Sequence, residues 1–361
     1  MTDIKTAVIG CGKIGHFHAK CYQTLPGSQF VGAVGTRPGR GKEFGAQYGV
    51  PGFDSLEELV EETGAQAISI CTPHPNHAAV AVEAVRLGLH IAVEKPLAST
   101  LADCDQIIAA ANKANIVGTT ICQRRFYRPA MRVKQAIDAG KLGQPILGTV
   151  NMLGWRDMDY YRSDPWRGTW EGEGGGVLVN QAPHQLDMLL WFMGPIKEVV
   201  ATWDTLNHPE LEVDDTAMAL IRFRSGAVGN IVVSNSQNPA LFGNVRVHGS
   251  NGASAGVQTD GGAMFIAGTS AILEPPVNDI WTVPGEEGML EVYRKEDSDF
   301  FNSVDSMHHF HQEQLADFLT AIRNDSKPLI TLEDGRATVE LFTAIYCSQE
   351  QHSWVQFPLE A

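Results

Sequence analysis

KTAVIGCGKIGHFHA, residues 5–19, begins as an apolar run and then sets Gly10, Gly12 and Gly15 in G-x-G-x-x-G spacing ahead of a helix-like segment. A strand feeding such a turn gives each glycine a physical task. Gly10 makes the tight bend, Gly12 admits a pyrophosphate close to the backbone, and Gly15 lets the helix lie against the strand. The helix start at Lys13 and Ile14 supplies free N–H groups and positive potential to the phosphates. A structural turn could carry the same three glycines; their place at the head of several alternating units favours a nucleotide site.

Those units follow directly. FVGAVG, AISIC, HIAVEK and IVGTTIC read as strands buried on both faces, and HAAVAVEAVRLG and LADCDQIIAAANKA between them have helical periodicity without internal breakers. Alternation of this kind implies a parallel, doubly wound sheet. Beyond about residue 125 the strands lengthen and alternate: ILGTVNML, EVVATWDTL, and the pair AMALIRF and AVGNIVVS around Arg224-Ser225-Gly226. The expected fold is α/β: an N-terminal Rossmann dinucleotide-binding domain over residues 1–125, then an α+β domain over residues 126–361 with a large, mostly antiparallel open sheet. A chain of 361 residues suits two domains.

Charge narrows the partners. With 27 Lys+Arg against 42 Asp+Glu the formal charge is −15, which disfavours nucleic acid and anionic membrane as partners. The start, MTDIKTAVIGCG, lacks the features of a signal peptide, and no stretch approaches the roughly 18 apolar residues of a membrane span. The six cysteines show no C-x-x-C pairing, as expected of reduced, buried thiols. A cytoplasmic protein is expected.

The end of the second strand is where an acid binds the ribose 2′-hydroxyl in NAD sites. FVGAVGTRPGRGK has Thr36 and Arg37 there and no Asp or Glu. Thr and Arg can hold a 2′-phosphate that a carboxylate would repel, so the reading tips towards NADP and leaves NAD open, with a solvated basic loop as the alternative. HIAVEKP then closes a strand with Glu94, Lys95 and Pro96 at the edge where ligands bind in open α/β sheets.

The glycine fingerprint, Thr72-Pro73-His74-Pro75-Asn76-His77, the EKP at Glu94–Pro96, QRRFYRP around Arg125, NQAPH and the closing DFLTAIRNDSKPLITLEDGRATVELFTAIY together resemble the Gfo/Idh/MocA oxidoreductases over essentially the whole chain. The resemblance implies an NAD(P)-dependent dehydrogenase of a sugar, sugar derivative or cyclitol. It makes Lys95 and His184 the catalytic pair, with Asn180 at a position that is often aspartate. It adds Thr72, Pro73, His77, Glu94 and Lys95 to the dinucleotide contacts and Arg125 to the substrate contacts. An amide at 180 orients a hydroxyl but takes up no proton, which shifts the acid–base burden to His184 and Lys95. A keto-sugar reductase, a redox-assisted glycosidase and a non-catalytic dinucleotide sensor are the alternatives; retention of Lys95 and His184 argues against the sensor.

GGGVLVNQAPHQLD, residues 174–187, is expected to run from glycines through a short apolar strand into a helix begun by Pro183. His184 at that positive helix end would be held neutral, as a general base requires, with Asp187 one turn on to orient it. WRDMDYYRSDPWRGTW, residues 155–170, is the candidate substrate loop: Trp155, Tyr160 and Trp166 offer faces to a sugar and Arg167 offers donors, a packing or interface loop being the alternative. MHHFHQEQ, residues 307–314, clusters histidines without a ligand set, and no metal is expected. The sheet of the second domain, short of covering helices, is expected to pair in a homodimer or homotetramer.

Overall fold

The computed structural model describes residues 3–259 and 274–359. The chain forms two compact units, the first built from the chain as far as Gln123 together with Met307–Val339, the second from Arg124–Ser306 and the chain from Glu340.

In the first unit, β1 (Ile4–Ile9), β2 (Ser28–Val34), β3 (Gly52–Phe53), β4 (Ala67–Ile70), β5 (His90–Val93) and β6 (Gly118–Thr120) form one sheet in the order β3-β2-β1-β4-β5-β6. Every pairing is parallel. The strands read from the sequence are here, and LADCDQIIAAANKA is the helix Leu101–Ala114. Thr100 starts it by accepting the Asp103 N–H at 3.1 Å, and Asn115 ends it in the left-handed region at φ 55°. The order reverses between β1 and β4, the position at which such sheets open a crevice outside their carboxyl ends.

One boundary differs from the expectation that residues 126–361 form the second domain. The helix His309–Asn324 packs with the first unit, burying Leu315, Phe318 and Leu319 against Cys21, Tyr22 and Leu25. Gln314 adds hydrogen bonds from its amide to the Thr120 carbonyl at 2.8 Å and from the Cys122 N–H to its own oxygen at 3.0 Å. An amphipathic stripe calls for a covering surface, but not for the nearest one in sequence.

In the second unit, β7 (Pro145–Leu153), β8 (Ile196–Asp204), β9 (Thr216–Phe223), β10 (Val228–Ser234), β11 (Gly243–Gly249), β12 (Ser254–Thr259) and β13 (Val355–Gln356) are ordered β12-β11-β7-β10-β9-β8-β13. Among the described residues, β7 and β10 run parallel in this sheet and the other pairs are antiparallel. On one face, Leu189 and Met193 of the helix Pro183–Met193 press on Gly148, where a Cβ would stand 2.9 and 2.7 Å from their side chains. On the other, β9 alternates Met218 and Leu220 outward, 50% and 57% exposed. Val177–Asn180, expected as a strand, is a single helical turn, because the Asp214 carboxylate accepts the N–H groups of Gly176 at 2.7 Å and Leu178 at 3.0 Å and so caps a helix start. Among the described residues no helix is long and apolar enough to cross a membrane.

Phe318→Ala is expected to cost about 3–5 kcal/mol by opening a cavity against Tyr22. Urea unfolding of the variant measures it, and a loss near zero would detach this helix from the first unit's core.

Candidate active site

At the carboxyl end of β1, Gly10 adopts φ 101°, and a Cβ there would lie 2.5 Å from the Cys71 carbonyl group. A Cβ at Gly15 would lie 2.0 Å from the Gly10 oxygen, so the helix Lys13–Thr24 can approach only without side chains at both points. Over Gly12 nothing stands within 4 Å, and no side chain caps this helix. Lys13 and Ile14 open it, with Lys13 exposed. The open space and uncapped N–H groups fit a dinucleotide pyrophosphate. Thr36 and Arg37 sit exposed beyond the end of β2, and Arg40 reaches back to donate to the Cys11 carbonyl in the glycine turn at 3.1 Å.

The neighbouring strands β4 and β5 end in Thr72-Pro73 and in Glu94-Lys95. Lys95 is half-buried. Glu94 and His77, expected to touch the dinucleotide, have their polar atoms committed within the protein. Glu94 accepts from His18 at 2.9 Å, and His18 in turn bonds Ser69 at 2.8 Å. Burial works to raise the Glu94 pKa, and the His18 hydrogen bond and charge outweigh it and hold it low. His77 is fully buried with its ring nitrogens on the Thr72 oxygen at 2.8 Å and the Pro96 oxygen at 3.0 Å, bracing the two strand ends against each other. The Thr72 side chain is buried with them. His311 is the member of the 307–314 histidine group that meets His18 and Glu94, and burial lowers its pKa to about 4.

The second unit carries Asn180 and His184. His184 is half-buried in the first turn of the helix Pro183–Met193, behind Pro183. Asn180 ends the turn capped by Asp214, and its amide nitrogen donates to Glu173 and, at 3.2 Å, to the Tyr160 hydroxyl. That hydroxyl also receives Gln181 Nε2 at 3.1 Å and Arg167 Nη1 at 2.5 Å. The Arg167 guanidinium stacks 4.3 Å from the Tyr160 ring and 4.2 Å from the Trp166 ring. Four residues of the expected substrate set, Tyr160, Trp166, Arg167 and Asn180, are thus one contiguous group. Trp155 pairs by a backbone bridge with Ser236 and packs 6.1 Å from His208.

Arg125 and Asp187 meet each other in the interior of the second unit. Arg125 makes two hydrogen bonds to Asp187, at 2.8 and 2.7 Å, and both side chains are almost wholly buried. Arg125, expected as a sugar contact, is thus an internal clamp, and both oxygens of Asp187 accept from it. A buried guanidinium demands such a partner.

Two stretches of this chain match family descriptions. Residues 4–121 match an oxidoreductase family with an NAD-binding Rossmann fold, and residues 130–255 match the GFO/IDH/MocA C-terminal domain. The chain belongs to the Gfo/Idh/MocA oxidoreductase family. The myo-inositol 2-dehydrogenase of Thermotoga maritima is 26% identical to it over 96% of this chain and 97% of its own length. The scyllo-inositol 2-dehydrogenase (NAD(+)) of Bacillus subtilis is 29% identical over 65% and 68%. The solved structure of the WlbA dehydrogenase from Bordetella pertussis, in complex with NADH and UDP-GlcNAcA, superposes with a TM-score of 0.86 at 27% identity over 99% of both chains.

Within this Gfo/Idh/MocA chain, sequence reading overlooked Glu173, Gln181, His208 and Asp215. Glu173 directly precedes Gly174, Gly175 and Gly176, and its neighbours in sequence carry no signal that singles it out. His208 bonds Asp215 at 2.9 Å and the Arg156 carbonyl at 2.8 Å, tying the start of the aromatic loop to β9. The hydrogen bond that His208 donates to the Asp215 carboxylate raises the His208 pKa, against burial. Asp187→Asn is expected to cost about 3–5 kcal/mol by stranding the Arg125 charge in the interior. Chemical denaturation reads the loss, and an unchanged midpoint would return Arg125 to solvent and substrate.

Proposed function

We propose that the protein oxidises a secondary alcohol of a sugar, sugar derivative or cyclitol, with NAD or NADP as hydride acceptor. The observation that carries the reading is Lys95 at the carboxyl end of β5, two strands from the glycine turn in the same sheet, in a chain that also keeps His184 at a helix start. When bound, the nicotinamide supplies the hydride-accepting carbon. In this reading His184 takes the hydroxyl proton, the Lys95 ammonium stabilises the developing alkoxide, and Asn180 orients the hydroxyl. Run in reverse, the same groups serve as acid and electrophile for a keto-sugar. Trp166 and Tyr160 offer ring faces to the sugar and Arg167 offers N–H donors.

An absorbance screen at 340 nm with both dinucleotides against sugars and inositols tests the activity. Lys95→Ala and His184→Ala are each expected to lower turnover on the order of 100-fold to 10,000-fold with dinucleotide affinity nearly intact. The double variant should lose less than the product of the single effects, because both act on one proton transfer. A folded His184→Ala with near-normal turnover across pH would sink the assignment.

For cofactor choice, the exposed Thr36 and Arg37 in place of an acid favour NADP. Arg37→Ala should weaken NADP by about 1–3 kcal/mol and NAD much less. Equal losses in parallel titrations would remove the phosphate contact. We further place the protein in the cytoplasm, as a homodimer or homotetramer through the outward face of the second sheet, where Met218, Leu220 and Val228 are 50%, 57% and 48% exposed. Sedimentation of wild type beside Leu220→Glu checks the assembly, and a monomeric wild type would contradict it.

A further inference from the structure

An amide at residue 180 neither takes up nor releases a proton, yet a carboxyl group lies directly against it. Glu173 ends the short helix Trp170–Glu173 and is 1% exposed. One of its oxygens accepts the Gly168 N–H at 2.6 Å, and the other accepts from Asn180 Nδ2. The second N–H of that same Asn180 nitrogen points to the Tyr160 hydroxyl at 3.2 Å. A side-chain amide has two donors on one end and one acceptor oxygen on the other. With Glu173 and Tyr160 drawing both donors of the nitrogen end, a hydroxyl that donates to Asn180 is met by the oxygen end, which has two acceptor positions.

We propose that Glu173 is a positioning residue for the reaction: its carboxylate holds Asn180 by the nitrogen, presents the Asn180 carbonyl oxygen as acceptor for the substrate hydroxyl, and releases that orientation on protonation. The inference rests on the dehydrogenase reading for its chemistry and on the Glu173–Asn180 contact for its mechanism. A carboxylate is acceptor-only and forces the nitrogen towards itself. A carboxylic acid donates as well as accepts and tolerates either end of the amide, so the selection is lost.

The surroundings put this change of state near neutral pH. Burial pushes the Glu173 carboxyl up to about 7, against the Gly168 and Asn180 hydrogen bonds and the Arg167 charge, while Asp214 adds to the rise. Tyr160, Tyr161 and Tyr346 also face it. Because the group is ionised above its pKa, the productive orientation is gained as pH rises through about 7 and lost as pH falls below it. His184 acting as a base gives a limb of the same sign, so the pH profile of wild type alone does not separate the two. A Glu173→Gln variant does, since it mimics the protonated acid permanently and leaves His184 in place.

The test has two arms on the dinucleotide-saturated protein. In the first, the side-chain amide of Asn180 is followed by nitrogen-15 NMR in asparagine-labelled protein without substrate, assigned by its absence in Asn180→Asp. The resonance is expected to titrate with a midpoint near pH 7 in wild type and to be flat in Glu173→Gln. In the second arm, with a sugar or cyclitol substrate from the activity screen, Glu173→Gln is expected to lower kcat by about 10-fold to 100-fold with dinucleotide affinity unchanged. Glu173→Asp is expected to restore part of it, and thermal midpoints confirm that the variants fold. A wild-type Asn180 resonance that is flat between about pH 5.5 and 8.5 overturns the proposal. So does a folded Glu173→Gln enzyme with wild-type kcat and an unaltered acid limb. If no sugar or cyclitol is turned over, the dehydrogenase reading fails, while the first arm still decides the coupling of Glu173 to Asn180.

Discussion

The backbone of Gly176 passes so close to Asp214 that any Cβ there would lie 1.8 Å from the Asp214 carbonyl oxygen. This approach is the constraint on which the placement of Asn180 and of the helix that follows it depends. It lets one aspartate cap the turn Val177–Asn180 with its carboxylate and accept the Val177 N–H at 2.9 Å with its carbonyl, while the Tyr346 hydroxyl donates to the carboxylate at 2.6 Å. Burial drives the Asp214 carboxyl up to about 6 even with these donors around it. Asn180, the helix begun by Pro183 and the orientation of His184 all follow from where that turn is fixed.

A similar economy of contacts decides which polar residues are available for chemistry. Arg125 and Asp187 are consumed by each other, Glu94 by His18, and His77 by two carbonyls. These pairs cannot be broken cheaply, because an unpartnered charge or ring nitrogen in the interior would carry the full cost of desolvation. They define rigid walls. Lys95 in the first unit, and His184 and Asn180 in the second, are half-buried and so partly open to solvent.

The outward face of the second sheet and its inner face are written in the same strands. In β9, Ala217, Ala219, Ile221 and Phe223 turn inward to the core while Met218 and Leu220 turn out. Period-two alternation therefore specifies the fold of the unit and its apolar exterior in one stroke.

How much of this was legible depends on the range of the forces involved. The parallel sheet, the glycine turn and the helix Leu101–Ala114 are set by local rules: short apolar runs, positive φ at Gly10, a threonine cap and a left-handed stop. A chain read alone carries those rules, and the motifs around Lys95 and His184 carried the resemblance to the family to which the chain belongs. It could not say that Arg125 would meet Asp187 across 62 residues, that His311 would join His18, or that the helix at 309–324 would cover the first sheet. Nor could it turn VLVN from strand to helix, since the cap comes from Asp214, 36 residues beyond Leu178. Such pairings are chosen by which buried groups find partners once the layers have packed, and side-chain types in sequence do not encode that choice.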